Sequence, residues 1–170
     1  MDILVVVDMQ KDFISGALGT KEALAIVPRV AEKIVQAKKA GKAIVFTRDT
    51  HHENYLDTQE GKNLPVPHCI ENTDGWQIDP ALDTAGAMIF DKPSFGSEAL
   101  VRYLKSLPDL QSAEFVGLCT DICVITNVLS AKCALPELPI SVDSACCAGV
   151  TPQSHETALS AMRTCQINIL

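Results

Sequence analysis

No stretch of the 170-residue chain approaches the ~20 consecutive apolar residues that cross a bilayer, so a membrane partner is not expected. The apolar opening run, residues 3–7, is too short for the core of a secretory signal, and Asp2 stands where basic residues would precede one. An excess of positive charge is lacking as well: 14 Lys and Arg face 21 Asp and Glu, a net charge of -7. The nearest approach to a basic patch, Lys38, Lys39 and Lys42, falls at the end of an expected helix, where the dipole favours cations. Nucleic acid is therefore not expected as a partner. There are no internal repeats and no low-complexity tracts. The cysteines do not form a disulfide framework either: seven of them, an odd number, are scattered through a chain too long to need staples. Reduced thiols in a reducing compartment, the cytoplasm, are the expectation.

What is present is a globular balance, with 47% hydrophobic and 21% charged residues, in a length that suits one domain over 1–170. Residues 3–7 read as a strand buried on both faces, with Asp8 at its C-terminal end. Residues 21–39 repeat apolar positions (Leu24, Val27, Val30, Ile34, Ala37) at helical steps, and Gly41 closes that helix. A second strand, 43–47, runs into Arg48-Asp49-Thr50-His51-His52. Residues 52–85 are rich in Asn, Gly, Pro and Asp without periodicity, and a loop that long inside a compact domain usually serves function. Strands at 87–90, 114–118, 138–142 and 166–170 alternate with helices at 97–105, 122–133 and 152–164, the last opened by Thr151-Pro152. The alternation predicts a three-layer, doubly wound α/β sandwich with a six-stranded, mainly parallel sheet. In such a sheet the C-terminal strand ends share one edge, where ligands bind. Asp8, Asp49, Lys92 and segment 119–123 all follow strands, so the fold would gather them there.

Taken singly, each of these residues has an ordinary explanation. Asp8 suits a turn cap, Lys92 a snorkelling lysine, and Cys119 and Cys123 small buried apolar groups. Together they supply a base, a cation and a thiol. Thr120 or Asp121 can cap the following helix, which would place Cys123 in its first turn, where free N–H groups favour a thiolate and can hold an oxyanion. Cys119 is the rival nucleophile. Asp49 and His51, two apart in extended chain, can face one ion; His68 would arrive from the long loop, with Glu60 a weaker fourth ligand.

Five blocks in order are Asp-x-Gln-x-Asp-Phe from Asp8, Asp-x-His from Asp49, Pro-His-Cys-Ile from Pro67, Lys-Pro-Ser-Phe from Lys92, and Thr-Asp-Ile-Cys-Val from Thr120. Across essentially the whole chain this resembles the isochorismatase-like cysteine hydrolases, which have a Rossmann-like sheet, and among them the nicotinamidase branch. The resemblance implies a catalytic triad of Asp8, Lys92 and Cys123, a cis peptide between Leu118 and Cys119, and an oxyanion hole from the N–H groups of Cys119 and Cys123. It also implies a metal site at Asp49, His51 and His68, with Glu60 the weaker match, holding zinc, iron or manganese. It departs from the pattern at Pro65, where nicotinamidases usually carry an aromatic three positions before the metal histidine; Phe13, Tyr55 and Trp76 are then the candidates to wall the substrate ring. Relatives are often oligomers, so a homo-oligomer is expected by analogy. The expected partner is a small amide. The expected activity is hydrolysis of nicotinamide through a thioester, with Lys92 lowering the thiol pKa and Asp8 taking its proton. The alternatives are another small amide or carbamoyl compound, an isochorismatase proper, and a catalytically silent binding protein.

Overall fold

The computed structural model describes residues 1–170. Strands β1 (Asp2–Val7), β2 (Ala43–Asp49), β3 (Met88–Lys92), β4 (Ser112–Leu118), β5 (Ile140–Ala148) and β6 (Asn168–Ile169) form one sheet in the order β3-β2-β1-β4-β5-β6. Every pairing is parallel. The order reverses between β1 and β4, which places a crevice at the C-terminal ends of those two strands.

Period-2 alternation in β1 explains the two cores. Ile3, Val5 and Val7 join the cluster that contains Leu100, Leu104, Val128, Leu159 and Met162. These come from helices α4 (Glu98–Ser106), α5 (Ile125–Ala134) and α6 (Pro152–Thr164). Leu4 and Val6 point the other way, against helix α2 (Lys21–Lys39). Strands added to opposite sides of β1 by right-handed crossovers must carry their helices on opposite faces. The β2–β3 connection does not follow with a full helix. It is the long segment, which holds only a turn of 3-10 helix at Tyr55–Asp57 and the short α3 (Gln59–Asn63), and it carries His68 to the site edge. A further short helix, α1 (Lys11–Ile14), follows β1.

The structure corrects several boundaries. In α2 the buried stripe is Ala23, Ile26, Val27, Val30, Ile34 and Ala37, while Leu24 is exposed. β3 runs on to Lys92, which places that lysine in the ladder opposite Asp49 rather than after it. β5 does not stop at 142 but continues to Ala148, because Asp143 is paired with Lys33 at 2.5 Å and is tolerated inside the strand. β6 is only two residues long. The expected helix from 122 is instead a π-helical turn at Thr120–Val124 leading into α5. Gly117 allows β4 to reach β1: its φ is +120°, and a Cβ there would lie 2.1 Å from the Val7 carbonyl oxygen.

One ion cluster pins α2 to the sheet. Lys33 lies 2.8 Å from Glu114 on β4 and 2.5 Å from Asp143 on β5, and Lys42 lies 2.9 Å from Glu114. Burial opposes ionisation of Glu114 and Asp143, but Lys33 outweighs it and holds both carboxyls below their ordinary values. Carboxyls lowered in the folded state contribute stability above their unfolded pKa, about 4, and lose it as pH falls through the folded values. Lys33→Met should therefore destabilise the protein by roughly 1–2 kcal/mol at pH 7, between the exposed and the fully buried case. In urea melts from pH 7 to pH 3 the gap between variant and parent should narrow below about pH 4; a constant gap would contradict this assignment.

Candidate active site

The rim of the sheet where β1, β2, β3 and β4 end brings four of the five sequence blocks together at once. Asp8 follows β1 directly with φ +46°, a left-handed conformation that Asp tolerates better than most residues. Its N–H donates to the Thr47 carbonyl at 3.2 Å, and the Thr47 hydroxyl donates to its Oδ1 at 2.6 Å. Lys92, at the end of β3, is 1% exposed, so its charge needs partners inside the protein. Its Nζ lies 2.7 Å from Asp8 Oδ2 and 3.3 Å from Asp49 Oδ1, donates to the Ser94 carbonyl at 2.9 Å, and stands 3.5 Å from Cys123 Sγ. The Asp8 contact is an ion pair between two fully buried groups.

Electrostatics follow from this crowding. Burial disfavours the Lys92 ammonium, but Asp8 chiefly, and Asp49 with it, outweigh that and hold its pKa above the ordinary lysine value. Burial raises the Asp8 pKa against the pull of Lys92. Burial also raises Cys123, and Asp8 adds to the rise; Lys92 opposes it, as expected, without winning. Burial thus favours the protonated thiol, against the thiolate that a helix start would favour. Thr120 and Asp121 do not cap the helix: the Thr120 hydroxyl is 2.7 Å from His155 Nδ1, and the Asp121 carboxylate accepts the Val150 N–H at 3.1 Å. Cys119, the other candidate thiol, is pushed up to about 12 by burial. The Leu118–Cys119 peptide is cis, and the Cys119 N–H carries no hydrogen bond within the protein.

Beside this group, Asp49, His51, Glu60 and His68 bring their ligand atoms within 4.8 Å of one another. Asp49 Oδ2 is 3.0 Å from His51 Nε2 and 3.6 Å from His68 Nε2; Glu60 Oε1 is 3.6 and 3.8 Å from the same nitrogens. His51 Nε2 is buried without a hydrogen bond, the kind of orphaned polar atom that a cation would satisfy. His68 Nδ1 is held 2.8 Å from the Val66 carbonyl, which aims its Nε2 into the cluster. Two imidazoles and carboxylate oxygen are a fitting donor set for zinc or a related transition metal. Burial opposes the Asp49 charge, but the two histidines and Lys92 lower its pKa, whereas burial raises Glu60.

The aromatic candidates take different places. Phe13 is half-buried, its ring 5.4 Å from that of His68. Tyr55 is fully buried behind the site, with its ring 4.7 Å from His51 and 5.1 Å from His68 and its hydroxyl donating to the Leu64 carbonyl. Trp76 lies under the Arg48 guanidinium, 3.4 Å from the ring, and donates to the Thr50 hydroxyl. A cavity of about 500 Å³ opens beside the cluster, lined in part by His51, Glu60, Asn63, Leu64, Ser94 and Phe95. The sequence reading gave no role to Thr47, Ser94 or Gln10; Gln10 and Ser94 carried a signal, as members of the first and fourth blocks, and Thr47 carried none.

Known proteins agree with this architecture. The family model for the isochorismatase domain matches residues 2–170. The nicotinamidase/pyrazinamidase of Mycobacterium tuberculosis is 26% identical, covering 100% of this chain and 98% of that protein. The pyrazinamidase of Pyrococcus horikoshii in complex with zinc is 30% identical with a TM-score of 0.87, over 99% of this chain and 98% of that one. The pyrazinamidase/nicotinamidase of Streptococcus mutans UA159 is 25% identical with a TM-score of 0.88, over 100% of both chains. A family model that spans all but the first residue, on a fold shared from end to end, makes this chain a member of the isochorismatase family.

Proposed function

We propose that the protein is a cysteine-dependent amidohydrolase that converts nicotinamide and water to nicotinate and ammonia. The observation that carries this reading is the buried Lys92 ammonium in contact with both the Asp8 carboxylate and the Cys123 sulfur. As Cys123 Sγ bonds to the carboxamide carbon, its proton passes to Asp8, whose pKa burial has raised. Because burial favours the protonated thiol, this transfer accompanies the attack. Lys92 balances the negative charge as it moves between sulfur and carboxylate. The oxyanion is held by the N–H groups of Cys119 and Cys123, each donor worth ~3 kcal/mol. Asp8 returns the proton to nitrogen, the C–N bond breaks and ammonia leaves, with the acyl group retained as a Cys123 thioester. Water, deprotonated by Asp8, then attacks the thioester carbon; the C–S bond breaks, nicotinate leaves and the thiol is restored.

Asp49, His51 and His68, with Glu60 a weaker fourth ligand, would hold a divalent metal ion. Zinc is the first choice, and a bound metal would supply a Lewis acid to grip the pyridine nitrogen and orient the ring. Of the aromatic candidates, Phe13 fits best as a wall for that ring, with Tyr55 and Trp76 supporting the site from behind. The wider setting we propose is cytoplasmic and homo-oligomeric; no helix is long and apolar enough to cross a membrane. One observation favours a second reading, another small carboxamide or a carbamoyl compound: the cavity mouth also carries the polar residues Thr58, Gln59 and Asn63.

Two measurements check the proposal. Ammonia release from nicotinamide should exceed that from other small amides and fall at least tenfold after dialysis against a chelator, returning when zinc is restored. Activity indifferent to chelation would remove the metal from the reaction, and preference for another amide would select the second reading. Cys123→Ala should abolish turnover while zinc affinity and the melting temperature stay near those of the parent, whereas appreciable residual turnover would exclude Cys123 as nucleophile.

A further inference from the structure

Gln10 has no task in the reaction above, yet it is fully buried and all its hydrogen-bonding donors are used. Its side-chain amide meets the backbone of Asp49 at both ends. Oε1 accepts the Asp49 N–H at 2.7 Å, and Nε2 donates to the Asp49 carbonyl at 2.8 Å. The second Nε2 hydrogen goes to the Trp76 carbonyl at 2.9 Å. Two carbonyls and one N–H fix the amide in this orientation, because the flipped form would set its oxygen against both carbonyls.

The reason for this arrangement lies in the sheet. The β1–β2 ladder has its last pair at Val6 and Phe46, and the chain turns out of β1 at Asp8. Beyond that turn β2 has no backbone neighbour on the β1 side. The Gln10 amide takes the place of the missing strand and extends the hydrogen bonding to Asp49. That residue serves two centres at once: Oδ1 is 3.3 Å from Lys92 Nζ, and Oδ2 is 3.0 Å from His51 Nε2. Any rotation of its backbone moves both contacts together.

We propose that Gln10 is a positioning residue that aims the Asp49 carboxylate so that it serves the Lys92 ammonium and the His51–His68 cation site together. This rests on the reading above for the roles of those two centres, but its test needs no amide substrate. Two variants of similar size remove the clamp differently: Gln10→Met deletes both ends, and Gln10→Glu sets an oxygen against the Asp49 and Trp76 carbonyls. For each, three quantities are measured: the melting temperature, zinc affinity by competition with a chromogenic chelator, and the rate at which iodoacetamide labels Cys123 in metal-free protein, read by mass spectrometry of its peptide.

The expected result is cooperative melting above the assay temperature, a zinc Kd raised about ten- to a hundredfold, and a severalfold change in the Cys123 labelling rate. A purely structural glutamine would lower the melting temperature and leave the other two values alone. A folded variant with parental zinc affinity and parental labelling rate overturns the proposal. Failure of both variants to fold also overturns it, by assigning Gln10 to the architecture alone. If the parent takes up no zinc, the labelling rate decides; if the parent fails to hydrolyse nicotinamide, both readouts stand unaffected.

Discussion

A lysine ammonium enclosed by protein is costly unless opposite charge reaches it, and Lys92 draws on two carboxylates. Asp8 meets it at 2.7 Å and Asp49 at 3.3 Å, with the Cys123 sulfur on the same ammonium at 3.5 Å. The second oxygen of Asp49 faces the two histidines. One buried cation thus organises both the thiol centre and the cluster of Asp49, His51, Glu60 and His68. Replacing it with an apolar side chain would leave two carboxylates inside the protein without a counter-charge.

The parallel sheet makes this economy possible. The three charged groups and the sulfur come from the ends of different strands, spread over more than 100 residues of the chain, and a common strand direction delivers them to one rim. The break in strand order between β1 and β4 opens the crevice beside them. Irregular backbone occurs there: the positive φ of Asp8, that of Cys69 next to His68, the glycine at 117, and the π-helical turn. The rest of the molecule, from the fully buried strand β1 to the stripe of α2, is ordinary packing that holds the rim rigid.

How much of this was legible in the sequence depended on range. Residues 3–7 and 21–39 announce themselves because hydrophobic periodicity is a local signal; the stripe of α2 even outweighs Pro28 in the helix interior. The gathering of Asp8, Asp49, Lys92 and segment 119–123 was also readable, since strand ends are visible and parallel topology does the rest. What was not readable arises between distant residues. β5 looked short because Asp143 interrupts it, and its partner Lys33 is on another element. A cap on the helix after β4 was available in Thr120 or Asp121, both good capping residues, but His155 and Val150 engage their side chains instead. The thiol looked activated by a helix start, while burial, with Asp8 beside it, pushes its pKa the other way. Among the aromatics, sequence gave candidates but no ranking; Tyr55 lies behind the imidazoles, and Phe13 lies beside them.

The central claim is that the sulfur of Cys123 carries the acyl group between the two halves of the reaction. Acid quenching in the first turnover, followed by peptide mass spectrometry, tests it most directly. The expected product is a nicotinoyl group on the peptide containing Cys123, lost on treatment with hydroxylamine. Turnover with no acylated peptide, or with the acyl group on Cys119, would contradict it.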